Sequence, residues 1–161
     1  MRDHLVDTTV EELWAFLTNP NNLEKLTPKK FGGKRIGDVS KTVIEEGMTA
    51  KYQIKLLPFV TINWVAKYKD IKQHDCFTDV QVKGPFRRWE HQHIIIQDRE
   101  NVIMRDIITF EPPIPIIGEF LYENFILPRF FTLFNYRDAQ LDILYPPQKR
   151  KSKRLMKYYR K

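Results

Sequence analysis

The stretch that decides the fold runs from Cys76 to Glu111 and reads CFTDVQVKGPFRRWEHQHIIIQDRENVIMRDIITFE. It contains three runs rich in β-branched and aromatic residues, which are typical of strands. Two turn signals separate these runs, the first at Gly84-Pro85 and the second at residues 98–101. Strand-like runs joined by short turns predict two consecutive antiparallel hairpins. We therefore expect three neighbouring strands of one sheet in this stretch.

The two turn signals also predict which residues face each other across the hairpins. A turn centred on the first signal places Asp79 opposite His91. A turn centred on the second places His93 opposite Asp106. Because side chains alternate along a strand, His91 and His93 share a face with Trp89. The sequence thus predicts two neighbouring histidine–aspartate pairs on one face of the sheet.

The chain before this stretch predicts a short strand, two short helices and more strands. The first strand is expected at residues 4–6. Thr8 or Thr9 can cap a first helix, which Asn19-Pro20 ends, and a second short helix stops at Pro28. Three further strands are then expected, at Asp38–Glu45, Thr49–Leu57 and Val60–Tyr68.

The chain after this stretch is helical in character from about residue 116 to residue 144. Large apolar residues recur there at spacings near three, four and seven, namely Phe120, Leu127, Phe131, Phe134 and Leu141. Pro128 predicts a kink or break, because proline removes a backbone hydrogen bond. Only this helix is long enough to cover the apolar face of the sheet. The sequence therefore predicts an α+β fold in which a curved antiparallel sheet of six or seven strands wraps around a long C-terminal helix.

Length and composition indicate one domain, which we expect over residues 1–147, followed by a basic tail over residues 148–161. The single cysteine, Cys76, excludes an intrachain disulfide. The chain shows neither the apolar core of a secretory signal nor a run of about 18 apolar residues. We therefore expect a cytoplasmic protein.

The net charge of +7 is concentrated in the tail. Eight of the 27 lysine and arginine residues lie in residues 148–161, which leaves 19 basic residues against 20 acidic ones in the rest of the chain. Because the expected domain is nearly neutral, no nucleic-acid partner is predicted. The tail has three interpretations, in decreasing order of preference: a solvated end, a contact with an anionic membrane surface, and a contact with nucleic acid.

Three blocks of sequence carry a resemblance to a known family. They are Leu13-Trp14-Ala15-Phe16 with Asn19-Pro20 and Leu26-Thr27-Pro28, the block from Asp79 to His93 that contains GPFRRWEHQH, and Arg105-Asp106 with Phe110-Glu111. Over residues 4–145 the chain resembles the helix-grip fold of the START/Bet v 1-like (SRPBCC) superfamily. More narrowly, it resembles the bacterial ligand-binding group related to polyketide cyclases. The basic tail is not part of the family pattern.

The resemblance implies a deep apolar cavity between the sheet and the last helix. Relatives bind lipids, polyketides or other apolar molecules, and some are cyclases or hydrolases. The predicted function is therefore the binding of a lipid, isoprenoid or polyketide-like molecule. The predicted ligand contacts are Tyr52, Ile54, Trp64, Tyr68, Gln81, Trp89, His91, His93, Asp106, Phe120 and Phe131.

The polar group on the inner face admits four interpretations. It can be a structural network or the polar end of a ligand pocket. It can supply acid–base catalysis, with His91 or His93 as the base and Asp79 or Asp106 orienting it, in a cyclase, dehydratase or hydrolase. Metal binding by His-x-His needs a third ligand and supporting hydrogen bonds, so neither a metal nor a cofactor is expected. A further alternative is a protein-interaction module whose own side chains fill the cavity.

Overall fold

A computed structural model describes residues 1–57, 60–112 and 122–146. Predictions that concern Phe120, the boundary at residue 147 and the basic tail lie outside the described residues. None of the helices in the described part is long and apolar enough to cross a membrane.

The described strands form one seven-stranded antiparallel sheet in the order β1-β7-β6-β5-β4-β3-β2. Their bounds are Arg2–Val6 (β1), Gly32–Ile36 (β2), Thr49–Leu57 (β3), Val60–Lys72 (β4), Cys76–Lys83 (β5), Arg88–Asp98 (β6) and Asn101–Glu111 (β7). Consecutive strands pair from β2 to β7, and β1 is added beside β7. With a C-terminal helix over this curved sheet, the α+β helix-grip fold predicted from the sequence is confirmed.

The register of the two central hairpins agrees with the register that the turn signals predict. Asp79 pairs with His91 across β5 and β6. His93 pairs with Asp106 across β6 and β7. All four side chains therefore project from the same face of three adjacent strands.

Two short helical segments follow β1, as predicted. Helix α1 runs from Val10 to Leu17 and begins with a capping box, in which Thr9 and Glu12 bond each other's backbone N–H groups. A 3₁₀ helix follows at Pro20–Glu24, and its cap is Asn19, which accepts a hydrogen bond from the backbone of Asn21. A further 3₁₀ turn at Lys29–Phe31 leads into β2.

The prediction of a strand at Asp38–Glu45 is wrong, because β2 lies earlier in the chain, at Gly32–Ile36. Asp38 accepts hydrogen bonds from Ser40 in a tight turn, and buried Arg35 donates to the carbonyl of Lys41 at 2.6 Å. These bonds hold the segment as a loop, although its β-branched residues suggested a strand. Gly33, with φ of 87°, gives β2 a conformation that other residues rarely adopt.

Helix α2 runs from Leu127 to Leu144 after a π-helical turn at Tyr122–Ile126. Pro128 lies in its first turn, where a missing N–H group costs nothing because that group has no partner within the helix. The break predicted at Pro128 therefore corresponds to the change from π-helical to α-helical geometry. Phe134, Arg137 and Leu141 are its buried residues.

The inner face of the sheet is divided into a packed part and a hollow part. Leu13 of α1, Val102 and Met104 of β7 and Leu141 of α2 are at most 1% exposed and form tight core contacts. Residues of β3 to β6 instead border a cavity. The packed part holds the helices against the sheet. The hollow part is the cavity, and Asp79, His91 and His93 lie in its wall.

Candidate functional site

A cavity of about 260 Å³ lies between the sheet, α2 and the short helical segments that precede β2. Most of its wall is apolar or aromatic, and its bulky members include Tyr52, Trp64, Phe77, Phe86, Trp89 and Phe130. Asp79, His91, His93 and Arg137 lie in the same wall. The cavity is thus a mostly apolar space with one buried group of polar side chains, here called its polar end, which is the usual design of a small-molecule site. The more exposed side chains of Lys55 and Arg129 also lie in its wall.

The aromatic wall is built around Trp89 of β6. Its ring is stacked on Phe86 at 5.2 Å between centroids and meets Trp64 edge-on at 5.2 Å. Phe130 of α2 meets the same ring at 5.8 Å. Because each ring restrains its neighbours, this wall gives the cavity a defined shape.

The polar end is formed by Asp79 of β5 and by His91 and His93 of β6. Asp79 Oδ2 lies 3.1 Å from His93 Nε2 and 3.6 Å from His91 Nδ1. The centroids of the two imidazole rings are 3.9 Å apart, and the Phe77 ring stacks on the His93 ring at 4.5 Å between centroids. Trp89 Nε1 donates to the other oxygen of Asp79 at 3.3 Å. Each polar group is therefore held by at least one neighbour.

Asp106 of β7 lies behind the histidines, and Arg137 of α2 reaches it from the cavity wall. Asp106 Oδ1 lies 2.7 Å from His91 Nε2 and 3.0 Å from His93 Nδ1, although the His93 ring is not aligned for a hydrogen bond at that nitrogen. Arg137 Nη1 donates to the same oxygen at 3.2 Å. Asp106 and Arg137 are 5% and 4% exposed, so this is a buried ion pair.

These contacts set the charge of the four titratable groups. Burial alone would raise the pKa of Asp106, but Arg137 and the histidines hold it well below 3.8. Burial also opposes the charge of Asp79, whose pKa is nevertheless lowered by the hydrogen bond with His93. Burial and the neighbouring imidazole lower the pKa of His91, whereas the two carboxylates overcome burial and raise the pKa of His93. The pKa values of two adjacent imidazoles are thus shifted in opposite directions.

A pair of tyrosines lies in another part of the wall. The hydroxyl groups of Tyr52 and Tyr68 are 2.7 Å apart, and Tyr52 donates to the carbonyl of Pro20 at 3.3 Å. With its proton used in that way, Tyr52 accepts the hydrogen bond of Tyr68. Burial raises the pKa of Tyr52 to about 12 and that of Tyr68 well above 10. Both phenols are therefore neutral hydrogen-bonding groups at neutral pH.

Most of the residues predicted as ligand contacts lie in the cavity wall. They are Tyr52, Ile54, Trp64, Tyr68, Trp89, His91 and His93. Gln81 does not line the cavity, because its amide exchanges hydrogen bonds with the backbone of Phe86 at 2.6 and 3.3 Å and closes the β5–β6 turn. Asp106 lies behind the histidines rather than in the wall.

Phe131, which was also predicted as a ligand contact, does not line the cavity, and its side chain is 55% exposed. The apolar stripe of α2 instead passes through Phe130 and Phe134, which line the cavity with Arg137. A search for apolar spacing passes over this stripe because it contains a charged residue, and it follows Leu127 and Phe131 instead. Phe120 lies outside the described residues.

Arg137 is the charged site residue that the sequence analysis missed, and Phe77, Phe86 and Phe130 are aromatic wall residues that it also missed. Arg137 lies three residues after Phe134 and four before Leu141, on the apolar stripe of α2. A charged residue at such a position needs a buried partner of opposite charge. A charged residue on the apolar stripe of a helix is therefore a sequence signal, and it indicates that Arg137 pairs with Asp79 or Asp106 on the inner face of the sheet.

No protein-family model and no curated protein matches the sequence. Among solved structures, the KanY protein superposes with a TM-score of 0.65 at 9% identity, over 91% of this chain and 95% of that one. Protein CV1439 from Chromobacterium violaceum superposes with a TM-score of 0.64 at 11% identity, over 91% of this chain and 96% of that one. Protein Ms6760 from Mycobacterium smegmatis superposes with a TM-score of 0.62 at 10% identity, over 88% of this chain and 89% of that one. At these identities the likeness shows a shared fold and leaves function to the site itself.

Proposed function

We propose that this chain is a START/Bet v 1-like (SRPBCC) protein that binds a hydrophobic small molecule, such as a lipid, an isoprenoid or a polyketide-like compound, in its cavity. The observation that carries the proposal is the cavity of about 260 Å³ with an aromatic wall and one polar end. A space lined in this way suits an apolar molecule that carries one oxygen-bearing group.

Affinity in such a site comes mainly from apolar burial. Each 100 Å² of apolar ligand surface removed from water contributes about 2.5 kcal/mol before the cost of association is subtracted. Orientation comes from His91, His93 and Asp79, whose polar atoms meet the ligand at the end of the cavity. Tyr52 and Tyr68 already satisfy each other, so we assign them to the wall.

The first test is native mass spectrometry of freshly purified protein, followed by organic extraction. We expect a discrete mass excess that disappears on extraction and is recovered as an apolar compound. A mass equal to that of the bare chain, unchanged after incubation with fatty acids, isoprenoids and aromatic polyketides, would contradict the proposal.

Two matched variants connect that result to the cavity. Ala66 is 3% exposed and lines the cavity, so Ala66→Phe places a phenyl ring inside it. Val65 is the next residue along β4 and faces the opposite side of the sheet, so Val65→Phe is the control. We expect the first variant to lose the bound mass and the second to keep it. Circular dichroism checks that both are folded.

A second candidate function is acid–base catalysis on a hydrophobic substrate, as in a cyclase, dehydratase or hydrolase. It is favoured by the opposite pKa shifts of His91 and His93, because neighbouring groups whose pKa values are driven apart are typical of an acid–base pair. In this alternative one imidazole removes a proton while Asp79 and Asp106 hold the rings in place.

His93→Gln separates the two functions. In a carrier the variant retains most of its ligand affinity, because apolar burial supplies most of it. In an enzyme it retains binding but loses turnover by about 10²–10⁴-fold. Mass analysis of candidate compounds before and after incubation with either protein detects turnover directly. Conversion at equal rates by both proteins excludes His93 as the catalytic group.

The basic segment 148–161 lies outside the described residues, and we propose for it a contact with the anionic surface of a membrane on the cytoplasmic side. Each basic residue near such a surface contributes about 1 kcal/mol. Cosedimentation with vesicles tests this. We expect binding to vesicles that contain phosphatidylserine and its loss at high salt, whereas equal binding to neutral vesicles would contradict the proposal.

A further inference from the structure

We propose that Asp79, His91 and His93 form a binding site for one divalent first-row transition metal ion, such as Zn²⁺ or Fe²⁺, at the polar end of the cavity. Asp79 Oδ2 lies 3.1 Å from His93 Nε2 and 3.6 Å from His91 Nδ1. Ligand atoms about 2.0–2.1 Å from a tetrahedral ion are about 3.3 Å from each other. The ligand atoms of the three side chains all lie within 4.8 Å of one another, so they are close enough to share one ion.

The residue behind the histidines has the position that metal sites require of a supporting carboxylate. A histidine bound to a metal through one nitrogen usually gives its other N–H group to a carboxylate. Here Asp106 Oδ1 lies 2.7 Å from His91 Nε2 and 3.0 Å from His93 Nδ1. This carboxylate therefore supports the His91 ring by a hydrogen bond and lies close to the His93 ring, whose Nδ1 is not aligned for one.

The two carboxylates are kept in different roles by their other partners. Trp89 donates to Asp79 Oδ1 at 3.3 Å, which leaves Oδ2 directed at the histidines. Arg137 donates to Asp106 at 3.2 Å and neutralises it behind the rings. The arrangement thus supplies the third ligand and the ordered support that the His-x-His pattern lacks by itself.

The proposed ligands also leave room for a fourth group. Asp79, His91 and His93 all line the cavity, whereas Asp106 does not. A site with two histidines and one carboxylate that faces an open space is the pattern of reactive metal centres rather than structural ones. An ion there would meet an oxygen atom of the molecule in the cavity and polarise it as a Lewis acid. The ion itself does not depend on the proposed hydrophobic ligand.

The test uses full-length protein purified without a metal-affinity column and stripped with EDTA. We titrate it with Co²⁺, followed by visible absorption, and with Zn²⁺, followed by competition with a chelating dye. We expect saturation at one ion per chain. Asp79→Asn and His93→Gln should weaken binding by more than about 100-fold, and Asp106→Asn by about 10–100-fold, as is usual for a supporting residue.

His4→Gln is the matched control. His4 is also buried, and its Nε2 lies 3.2 Å from Asp142 and its Nδ1 3.6 Å from Asp138, away from the cavity. This variant should bind the ion as tightly as the wild-type protein does. Equal losses in His4→Gln and His93→Gln would overturn the proposal, as would the absence of saturable binding to wild-type protein.

A measurement on wild-type protein avoids the risk that a variant unfolds. The chain has four histidines, and ¹⁵N NMR of their ring nitrogens identifies which atoms bind Zn²⁺. We expect His91 to bind through Nδ1 and His93 through Nε2, with His4 and His74 unchanged. Any other assignment of ligand atoms would overturn the proposal. Because lipid extraction and metal titration are separate measurements, either proposal can fail without the other.

Discussion

Arg137→Met tests whether Arg137 is what allows Asp106 to stay charged in the protein interior. Both partners are at most 5% exposed, and the Arg137–Asp106 distance is 3.2 Å. Removing one partner of a buried ion pair costs about 3–5 kcal/mol. Because His91 and His93 still contact Asp106, we expect the lower end, about 3 kcal/mol. Methionine keeps most of the stem volume, so the loss reports mainly on charge.

The assay is urea unfolding at pH 7, with the midpoint and slope measured for both proteins. A loss of about 3 kcal/mol corresponds to a fall in Tm of about 6–12 °C for a chain of this size. Arg105→Met is the control, because Arg105 forms an exposed two-bond pair with Asp3 at 2.7 Å on the opposite face. That pair should contribute only about 0–1 kcal/mol. If the two variants lose the same stability, the reasoning about the buried pair is refuted.

The cost of Arg137→Met should also depend on pH. Burial would raise the pKa of Asp106, but Arg137 and the histidines hold it well below 3.8 in the folded state. A carboxyl group of this kind stabilises the fold fully above its unfolded pKa, and this contribution is lost as the pH falls toward the folded pKa. The difference between the wild-type protein and the variant should therefore shrink below about pH 3.8. A difference that grows in that range would contradict the assignment.

Three other predictions concern the frame of the site. Gly33→Ala should lose more than about 1 kcal/mol in urea unfolding, because φ is 87° and a Cβ atom would lie 2.9 Å from Thr27; a neutral result would contradict this. Tyr68→Phe removes the hydrogen bond that Tyr52 accepts and should cost about 1 kcal/mol. Thr9→Ala removes the cap of α1 and should cost about 1 kcal/mol in the same unfolding assay, whereas no loss would mean that the capping box is dispensable.

The polar group could be predicted because its geometry depends on local information. Two tight turns determine the register of β5 to β7, and a register determines which side chains face each other. Asp79 opposite His91 and His93 opposite Asp106 follow from counting residues outward from the turns. The diagonal contacts, such as His93 with Asp79 at 3.1 Å, depend on side-chain rotamers and do not follow from that count.

Features that depend on tertiary contacts were less accessible from the sequence. Phe131 was assigned to the cavity because a search for apolar spacing misses a stripe that contains a charged residue, as the stripe of Phe130, Phe134 and Arg137 does. The strand predicted at Asp38–Glu45 is a loop because buried Arg35 binds the carbonyl of Lys41. The position of Arg137 beside Asp106 likewise depends on how a helix meets a strand 31 residues earlier.

Among the strands that the structure describes, β2 is at one edge of the sheet, and this edge has a consequence for the behaviour of the protein at high concentration. A bare strand edge is a template on which a second chain can add its own strand, and this is how many β-rich proteins aggregate. β2 is only five residues long, its pairing with β3 shifts between Gly32 and Lys34, and the Lys34 side chain is exposed. A short, bulged and charged edge strand can form few backbone hydrogen bonds with a strand of a second chain. The edge thus disfavours aggregation by strand addition.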